Sequence, residues 1–397
     1  MRKFTLMTSS AAGNRITSID LLKGLVMVIM ALDHVRDYVH GPARLFDATD
    51  PMHTTWAIYF TRWITHFCAP AFSFLAGASA YMVGKRKPVR ELSGFLLKRG
   101  LWLIFLEFTV INFAWFFDPY FRNPSLVTIW SLGVSMVVLA ALVYTPRWFI
   151  LAFSLLLIGG HNLFDGVQLP GNVLWAIIHH TAVYPLGNGY TLNVYYPVVP
   201  WIAVMALGYW FGPFYNTAYL PKTRRRLFNA IGLITVVLFF AVRYTNVYGN
   251  IMPWYRYNTV SQTLMSFFNP DKYPPSLLYL LMTLGPAIIF LANSEKWRGS
   301  VVNILSTFGR VPFFYYIVHI YLVHLIAMGL AQFSGFGWHA MICTTWVNNM
   351  PALNGYGFRL WVVYAVWILV VVVLYPLCKW YDAYKMAHKD KWWLSYL

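Results

Sequence analysis

Apolar residues run through this chain in long blocks that are separated by short polar loops. A helix needs about 20 mostly apolar residues to cross the hydrocarbon core of a bilayer. The pattern therefore predicts an all-α integral membrane protein, a polytopic bundle of about ten transmembrane helices. The predicted spans are 17–39, 57–83, 100–117, 125–144, 148–163, 195–212, 227–245, 274–293, 303–330 and 358–378.

One further apolar stretch, 172–184 with the sequence NVLWAIIHHTAVY, is too short to cross a bilayer. Irregular or half-spanning segments occur where they lie against protein or a water-filled cavity. We therefore predict a short half-helix on the outer side. An eleventh full span here would move every later basic loop to the opposite side of the membrane.

Basic residues concentrate in the loops that follow predicted spans two, six, eight and ten. Positive charge collects in the cytosolic loops of membrane proteins, so both chain termini are predicted to be cytosolic. The same pattern predicts three regions along the chain. These are a cytosolic leader at 1–16, a transmembrane domain at 17–380 and a basic cytosolic tail at 381–397.

The composition agrees with a membrane protein. Charged residues make up 11% of the chain and hydrophobic residues 59%, whereas soluble domains carry about 25% charged residues. The net charge of +17 does not indicate nucleic-acid binding, because the basic residues lie in short loops between apolar segments. The three cysteines form no C-x-x-C pair, so neither a disulfide framework nor a metal site is expected.

The first predicted span carries ionisable residues toward both of its ends. In a helix of 100° and 1.5 Å per residue, Lys23 and His34 are roughly 20° and about 16 Å apart. Asp20 shares their face, which must point into the bundle or a wet cavity because charge is costly in lipid. Asp33 and Asp37 lie at spacings that allow local pairing.

His34 has two interpretations at this stage. Histidine titrates near neutral pH, so it is a candidate proton acceptor, and Asp33 or Asp37 would raise its basicity or fix its tautomer. Alternatively, it is a hydrogen-bonded histidine at a helix end. Lys23 likewise either serves the same cavity or extends its ammonium group to the membrane surface.

The second predicted span adds Arg62 and His66, which are four residues apart and share a helix face. An arginine inside a span needs a partner, and we predict that Arg62 pairs with Asp33 or Asp37. That ion pair is either catalytic or purely structural. His66 is a candidate second base or oxyanion donor, and equally a buried core histidine.

Weaker candidates lie on later segments. Glu107 in the third span needs a partner, which we expect to be Arg99, Arg310 or a proton. His319 and His324 are five residues apart and therefore about 140° apart on a helix. That separation argues against one ligand pair, and we interpret both as core residues.

Two further side chains are candidates for contact with a substrate. His179 lies in the short outer segment, where it would line an entrance. Trp201 is one of several aromatic residues that would stack on a sugar ring, although aromatic belts at the membrane surface explain most of them equally well.

The opening pattern R-x-x-S-I-D-L-L-K-G followed by L-D-H, at 15–34, resembles the first span of the transmembrane acyltransferase superfamily. Lys23 and His34 reproduce its spacing, with Lys where Arg is usual. Later stretches resemble bacterial relatives in the heparan-α-glucosaminide N-acetyltransferase family. They are FTRWITHFCAPAFSFLAGASA, FLLKRGLWLIFLE, YPVVPWIAVMALGYWFG, YPPSLLYLLMTLGP and FGRVPFFYYIVHIYLVH.

The resemblance implies acetyl transfer from cytosolic acetyl-CoA to an amine or hydroxyl of an envelope or lipid-linked saccharide on the opposite face. It implies a bacterial inner-membrane location, contact with membrane lipid, and no metal. Lys23, Arg99 and Arg310 would meet the CoA phosphates. In the N-acetyltransferase branch the place of His34 looks to hold Asn, and the catalytic histidine lies further along, which makes His40 and His53 candidates.

Several alternatives stay open from the sequence. His34 would either deprotonate the acceptor for direct transfer or carry the acetyl group transiently. A transporter or flippase for a polar envelope precursor would also suit intramembrane charges and aromatic loops. A membrane haem protein would use histidines from two spans as axial ligands. The sequence is compatible with a monomer or a homodimer.

Overall fold

The computed structural model describes residues 16–216, 218–391 and 394, and these ranges are mainly helical. Predicted regions 1–16 and 381–397 therefore lie largely or partly outside the described residues. The helices are α1 Thr17–Val39, α2 Trp56–Trp63, α3 Cys68–Gly84, α4 Val89–Leu106, α5 Asn112–Phe116, α6 Thr128–Leu142, α7 Arg147–Gly160, α8 Val173–Ile178, α9 Val198–Phe211, α10 Pro221–Thr245, α11 Val260–Phe267, α12 Leu277–Ser294, α13 Ser300–Arg310, α14 Pro312–Phe333 and α15 Leu360–Ala387.

Two irregular turns keep neighbouring helices continuous. The 3₁₀ turn Ile64–Phe67 joins α2 to α3, and the π-helical turn Glu107–Ile111 joins α4 to α5. Within the described ranges, seven continuous helical segments are long and apolar enough to cross a membrane. They are Trp56–Gly84, Arg147–Phe164, Val198–Tyr215, Pro221–Thr245, Leu277–Ser294, Pro312–Phe333 and Leu360–Ala387.

These segments support an integral membrane protein, but they do not confirm the predicted count of ten. The helix α6 has 15 residues and is short for a span. The predicted span 303–330 is interrupted at Val311, where Pro312 begins a new helix. Proline fits the first turn of a helix and not its interior, so Pro312 explains why one helix ends and the next begins at this point.

The stretch 172–184 is only in part the predicted half-helix. Asn172 accepts a hydrogen bond from the Trp175 amide and starts α8, which ends six residues later at Ile178. The chain then forms β2 Ala182–Gly187, which pairs antiparallel with β3 Tyr190–Val194. β3 also pairs in parallel with β1 Ser125–Leu126. The described chain is therefore nearly all-α, as predicted, with one small three-stranded sheet that was not predicted.

Paired glycines bring helices of the bundle into backbone contact. A Cβ atom on Gly24 of α1 would lie 1.7 Å from the Leu305 carbonyl oxygen, and one on Gly309 of α13 would lie 1.8 Å from that of Asp20. α3 and α9 make the same reciprocal contact through Gly77 and Gly208. Small residues permit such close approach between membrane helices, so these contacts fix the register of α1 within the bundle.

α1 is the central element of the fold. It packs against α3, α12, α13, α14 and α15, and most of its length is buried. Its polar residues therefore face other helices and internal space instead of lipid. The two ends of α1 define the two sides of the bundle used below, the Lys23 side and the His34 side.

Candidate functional site

A cavity of about 590 Å³ lies at the His34 side of α1. The last turns of α1 form one wall, and α2, α3 and the turn between them form another. The rest of the lining comes from loop residues within 43–48, 181–196, 272–273 and 346–349, and from Trp115, Val127, Thr128 and Tyr316. The cavity is therefore built from segments that are far apart in the chain, on the side where the longer loops lie.

Asp33 is the centre of an ion-pair cluster on this wall. Its Oδ2 atom is 2.5 Å from Nη1 of Arg62 and 3.7 Å from Nζ of Lys272, and its Oδ1 atom is 3.1 Å from Nη2 of Arg36. Arg36 also contacts Asp37 at 2.6 Å. One buried carboxylate thus faces three cations. Separating these charges would be costly, because they are buried and little water can solvate them.

The cluster confirms that Arg62 pairs with Asp33, as the sequence predicts. It also adds Lys272, which sequence analysis missed because it comes from a loop more than 200 residues later. The neighbouring Tyr273 lines the cavity with 40% of its surface exposed. Burial raises the pKa of the Tyr273 hydroxyl, but the charges of Lys272 and Arg62 lower that pKa more, to below its ordinary value.

His34 makes its closest polar contact with a second histidine. Its Nδ1 atom is 2.7 Å from Nε2 of His319 on α14, and the two rings are stacked with centroids 4.9 Å apart. Nδ1 of His319 is 3.0 Å from the Tyr315 carbonyl oxygen. The ring of Trp115 lies edge-on to His34 at 4.7 Å. The sequence-based interpretation of His319 as a core residue therefore missed its contact with His34, which lines the cavity.

A second, mainly apolar cavity of about 180 Å³ continues toward the Lys23 side. It shares four lining residues with the first cavity, so the two cavities adjoin each other. The shared residues are Met30, Phe72, Thr128 and Tyr316. Lys23 and Arg99 line the second cavity and His34 lines the first, so Lys23 and His34 face two adjoining cavities.

Lys23 is held within this path by α3, because its Nζ atom donates a hydrogen bond to Oγ of Ser79 at 2.7 Å. Arg99 comes from α4 and is the other cationic lining residue. Arg310 does not line either cavity. Its guanidinium pairs with Asp382 at 2.6 Å and hydrogen-bonds Thr307, so it ties α13 to α15.

Four of the predicted histidines lie away from the lining of both cavities, namely His40, His53, His66 and His179. His66 is 3% exposed, and its Nδ1 atom lies 2.9 Å from the Trp63 carbonyl oxygen, beside Tyr279. The 3₁₀ turn Ile64–Phe67 turns Thr65 into the cavity in its place. His40 ends α1 and bridges to Phe358, with burial lowering its pKa to about 4.

The other displaced candidates are His53, His179 and Trp201. His53 is exposed and pairs with Asp50 at 2.6 Å. His179 pairs with Asp165 at 3.0 Å in a separate cluster near His161. Trp201 is 2% exposed and packs among aromatic rings of the core, so no face of it is open for stacking on a sugar.

Glu107 contacts a backbone amide that was not among the predicted partners. It begins the π-helical turn, and its Oε2 atom accepts a hydrogen bond from the Trp130 amide at 2.7 Å. A carboxylate at the first turn of α6 meets the positive end of that helix. This contact positions Thr128, the first residue of α6, at the junction of the two cavities.

Among the described residues, no group of three or more His, Cys, Asp or Glu side chains is arranged to hold a metal ion. The arrangement offers instead a histidine with one ring nitrogen toward a polar cavity, and an apolar path behind it with cations along its wall. A base beside an acceptor pocket and a separate path for an activated group are the parts of a group-transfer site.

The geometry thus defines a membrane-embedded site suited to group transfer. The chain matches the family model for the catalytic region of heparan-alpha-glucosaminide N-acetyltransferase over residues 15–232, which is more than half of its length. The chain therefore belongs to this family of membrane acetyltransferases. A comparison with curated proteins gave no match. His319, Lys272 and Tyr273 lie beyond the matched residues.

Proposed function

We propose that this protein transfers an acetyl group from cytosolic acetyl-CoA to a saccharide amine or hydroxyl on the opposite face of the membrane. The observation that carries this proposal is the meeting of the two cavities between Lys23 and His34. A donor entering from one side and an acceptor from the other would meet at that junction. Family membership supports the acetyl group.

His34 acts as the general base. Its Nε2 atom takes the proton of the acceptor amine or hydroxyl while the acceptor nitrogen or oxygen bonds to the acetyl carbonyl carbon. The carbon–sulfur bond of the thioester then breaks, and the imidazolium returns the proton to the departing thiolate, giving free CoA. General acid–base catalysis of this kind contributes about 10²–10⁴-fold to a rate.

The thioester is placed at the junction, where Tyr316 lines both cavities. The ring of Tyr316 is 6.5 Å from that of His34. A hydroxyl near the reacting carbonyl is suited to donate a hydrogen bond to the developing oxyanion. Removal of that donor by Tyr316→Phe lowers kcat more than it raises KM for acetyl-CoA.

The Lys23 side receives CoA. Its cations, Lys23 and Arg99, suit the phosphate groups of the donor, while the apolar walls suit the arm that carries the thioester. The rise of about 16 Å from Lys23 to His34 is comparable to such an arm. The basic loops favour a cytosolic position for this side, which is where acetyl-CoA is made available.

The His34 side receives the acceptor. Tyr195 and Trp346 line this cavity and meet at 5.3 Å between ring centroids, beside the amides of Asn348 and Asn349. Aromatic faces with nearby amide groups suit the apolar faces and hydroxyls of a sugar ring. A saccharide carried on a lipid would reach the cavity from the membrane surface.

The test is the release of free thiol from acetyl-CoA by purified protein in lipid nanodiscs, with and without a panel of glycans. We expect acceptor-dependent release by the wild type, loss of at least about 100-fold in His34→Ala, and full activity in His53→Ala. Acceptor uptake without thiol release would indicate a transporter and overturn the proposal. Activity of His34→Ala equal to that of the wild type would show that another residue is the base.

The covalent route uses the same ring nitrogen and needs its own test. Protein incubated with acetyl-CoA and no acceptor is digested and analysed by mass spectrometry. We expect no acetyl group on the peptide that contains His34. An acetylated His34 that is consumed when acceptor is added would replace direct transfer with a two-step mechanism.

A further inference from the structure

The histidine pair formed by His34 and His319 has a definite hydrogen-bond direction. A carbonyl oxygen accepts hydrogen bonds and donates none. The ring hydrogen of His319 is therefore assigned to Nδ1, which faces the Tyr315 carbonyl oxygen at 3.0 Å. This contact links the ring to the backbone of its own helix, one turn earlier.

The second nitrogen of His319 follows from its surroundings. His319 is fully buried and stacks on Tyr315 and His34, and within the described residues no carboxylate forms an ion pair with it. Burying an unpaired charge is costly, which favours the neutral ring. Because a neutral imidazole carries one hydrogen, Nε2 of His319 is then an acceptor.

The tautomer of His34 is set in turn. Its Nδ1 atom faces the acceptor Nε2 of His319 at 2.7 Å and must donate the hydrogen of that bond. The remaining nitrogen, Nε2, then carries a bare lone pair. In the described part of the chain no protein group forms a hydrogen bond with that nitrogen, and His34 lines the larger cavity.

We propose that His319 is a positioning residue that holds His34 in its Nδ1-protonated form, so that the base of the acetyl transfer is always Nε2. Ordinarily a carboxylate or backbone carbonyl orients a catalytic histidine. Here the orienting group is a neutral histidine whose own direction comes from the Tyr315 carbonyl. The assignment of the tautomer rests on the geometry of the two histidines. Its consequence for catalysis rests on the proposed function.

Because His319 is neutral, the charged groups near His34 are those of the ion-pair cluster around Asp33. Asp33 is adjacent to His34 in sequence but is occupied by Arg36, Arg62 and Lys272. The nearest carboxylate is therefore balanced by cations. His319 fixes the direction of the base without adding a negative charge beside the thioester.

Two substitutions separate the hydrogen bond from the shape of the ring. His319→Phe keeps an aromatic ring but removes the acceptor, and His319→Gln restores an acceptor oxygen near the position of Nε2. We expect kcat to fall at least about 100-fold in His319→Phe and less than about 10-fold in His319→Gln. KM for acetyl-CoA should change less than about threefold in both variants.

The control is His324→Gln on the same helix. His324 is also fully buried, but its nitrogens face the Ala114 and Met341 carbonyl oxygens and it does not line either cavity. We expect a loss of thermal stability with unchanged kcat per folded molecule. A kcat loss in His324→Gln as large as that in His319→Phe would assign His319 a structural role and overturn the proposal.

The tautomer is measured without turnover, from the ¹⁵N shifts of the ring nitrogens in ¹⁵N-histidine-labelled protein in nanodiscs. The His34 signals are assigned by their disappearance in His34→Asn. Protonated Nδ1 and bare Nε2 in the wild type support the inference, whereas protonated Nε2 overturns it. If the wild type transfers no acetyl group, the proposed function fails while this measurement still decides the tautomer.

Discussion

Replacement of Asp33 by asparagine tests whether the ion-pair cluster holds the cavity wall together. The substitution keeps the size of the side chain and removes the one carboxylate that Arg36, Arg62 and Lys272 share at 3.1, 2.5 and 3.7 Å. Arg36 keeps Asp37 as a partner. Arg62 and Lys272 lose their carboxylate contact in the cluster, although they stay where little water reaches them.

The expected loss follows from the distances. One ion pair at about 4 Å is worth about 4 kcal/mol at an effective dielectric constant of 20, and Arg62 and Lys272 are the two cations left without a carboxylate in the cluster. The neutral amide avoids the desolvation of a carboxylate, which costs several kcal/mol per ion. Breaking one partner of a buried pair typically costs about 3–5 kcal/mol, and we expect Asp33→Asn to fall in that range.

The assay is equilibrium unfolding in mixed micelles with increasing denaturing detergent. Asp50→Asn is the matched control, because Asp50 pairs only with the exposed His53 in the described structure and such pairs contribute about 0–1 kcal/mol. The double variant Asp33→Asn with Arg62→Gln should regain part of the loss. A loss below about 1 kcal/mol in Asp33→Asn would refute the reasoning.

Three further predictions concern packing, the apolar path and pH. Gly24→Ala should destabilise the protein by more than about 2 kcal/mol, since its Cβ would meet the Leu305 carbonyl oxygen at 1.7 Å. The control is Gly94→Ala on α4, where a Cβ would have no atom within 4 Å. In the same assay this variant should be as stable as the wild type or more stable by up to about 1 kcal/mol. Ala76→Phe, which fills the apolar cavity, should lower kcat/KM for acetyl-CoA at least about tenfold with little change in Tm; normal donor use in that variant would show that the donor takes another route. Burial lowers the pKa of His40 to about 4 from 6.5, so protonation of His40 in the unfolded chain destabilises the fold progressively as pH falls from about 6.5 to 4. The fall in Tm between pH 7 and pH 4.5 should be smaller in His40→Gln, and an equal fall would contradict this assignment.

Local patterns in the sequence were sufficient to predict the first helix and its polar face. The spacing of Lys23 and His34 depends only on helix geometry, and the need of Arg62 for a carboxylate depends only on its position in an apolar segment. Both arguments use residues that are close in the chain. The structure agrees because α1 and α2 lie next to each other around Asp33.

The partners contributed by distant segments were not predictable in this way. Helical spacing shows that His319 and His324 point in different directions, but it does not say which direction meets α1. Lys272 lies in a loop whose path depends on the whole bundle, and the burial of Trp201 and His66 depends on tertiary packing. The count of ten spans is not confirmed, because α1, α4 and the 15-residue α6 are not among the seven segments that are long and apolar enough to cross a membrane.

The two histidines of the pair are 285 residues apart in the chain, which has a consequence for biosynthesis. A ribosome that has delivered α1 to the membrane has placed His34 there without the group that orients it. Only after α14 has entered the bilayer and docked does the base acquire a fixed direction. Under the proposed function, an unfinished or prematurely terminated chain would therefore transfer no acetyl groups, and acetyl transfer would begin only once the bundle has assembled.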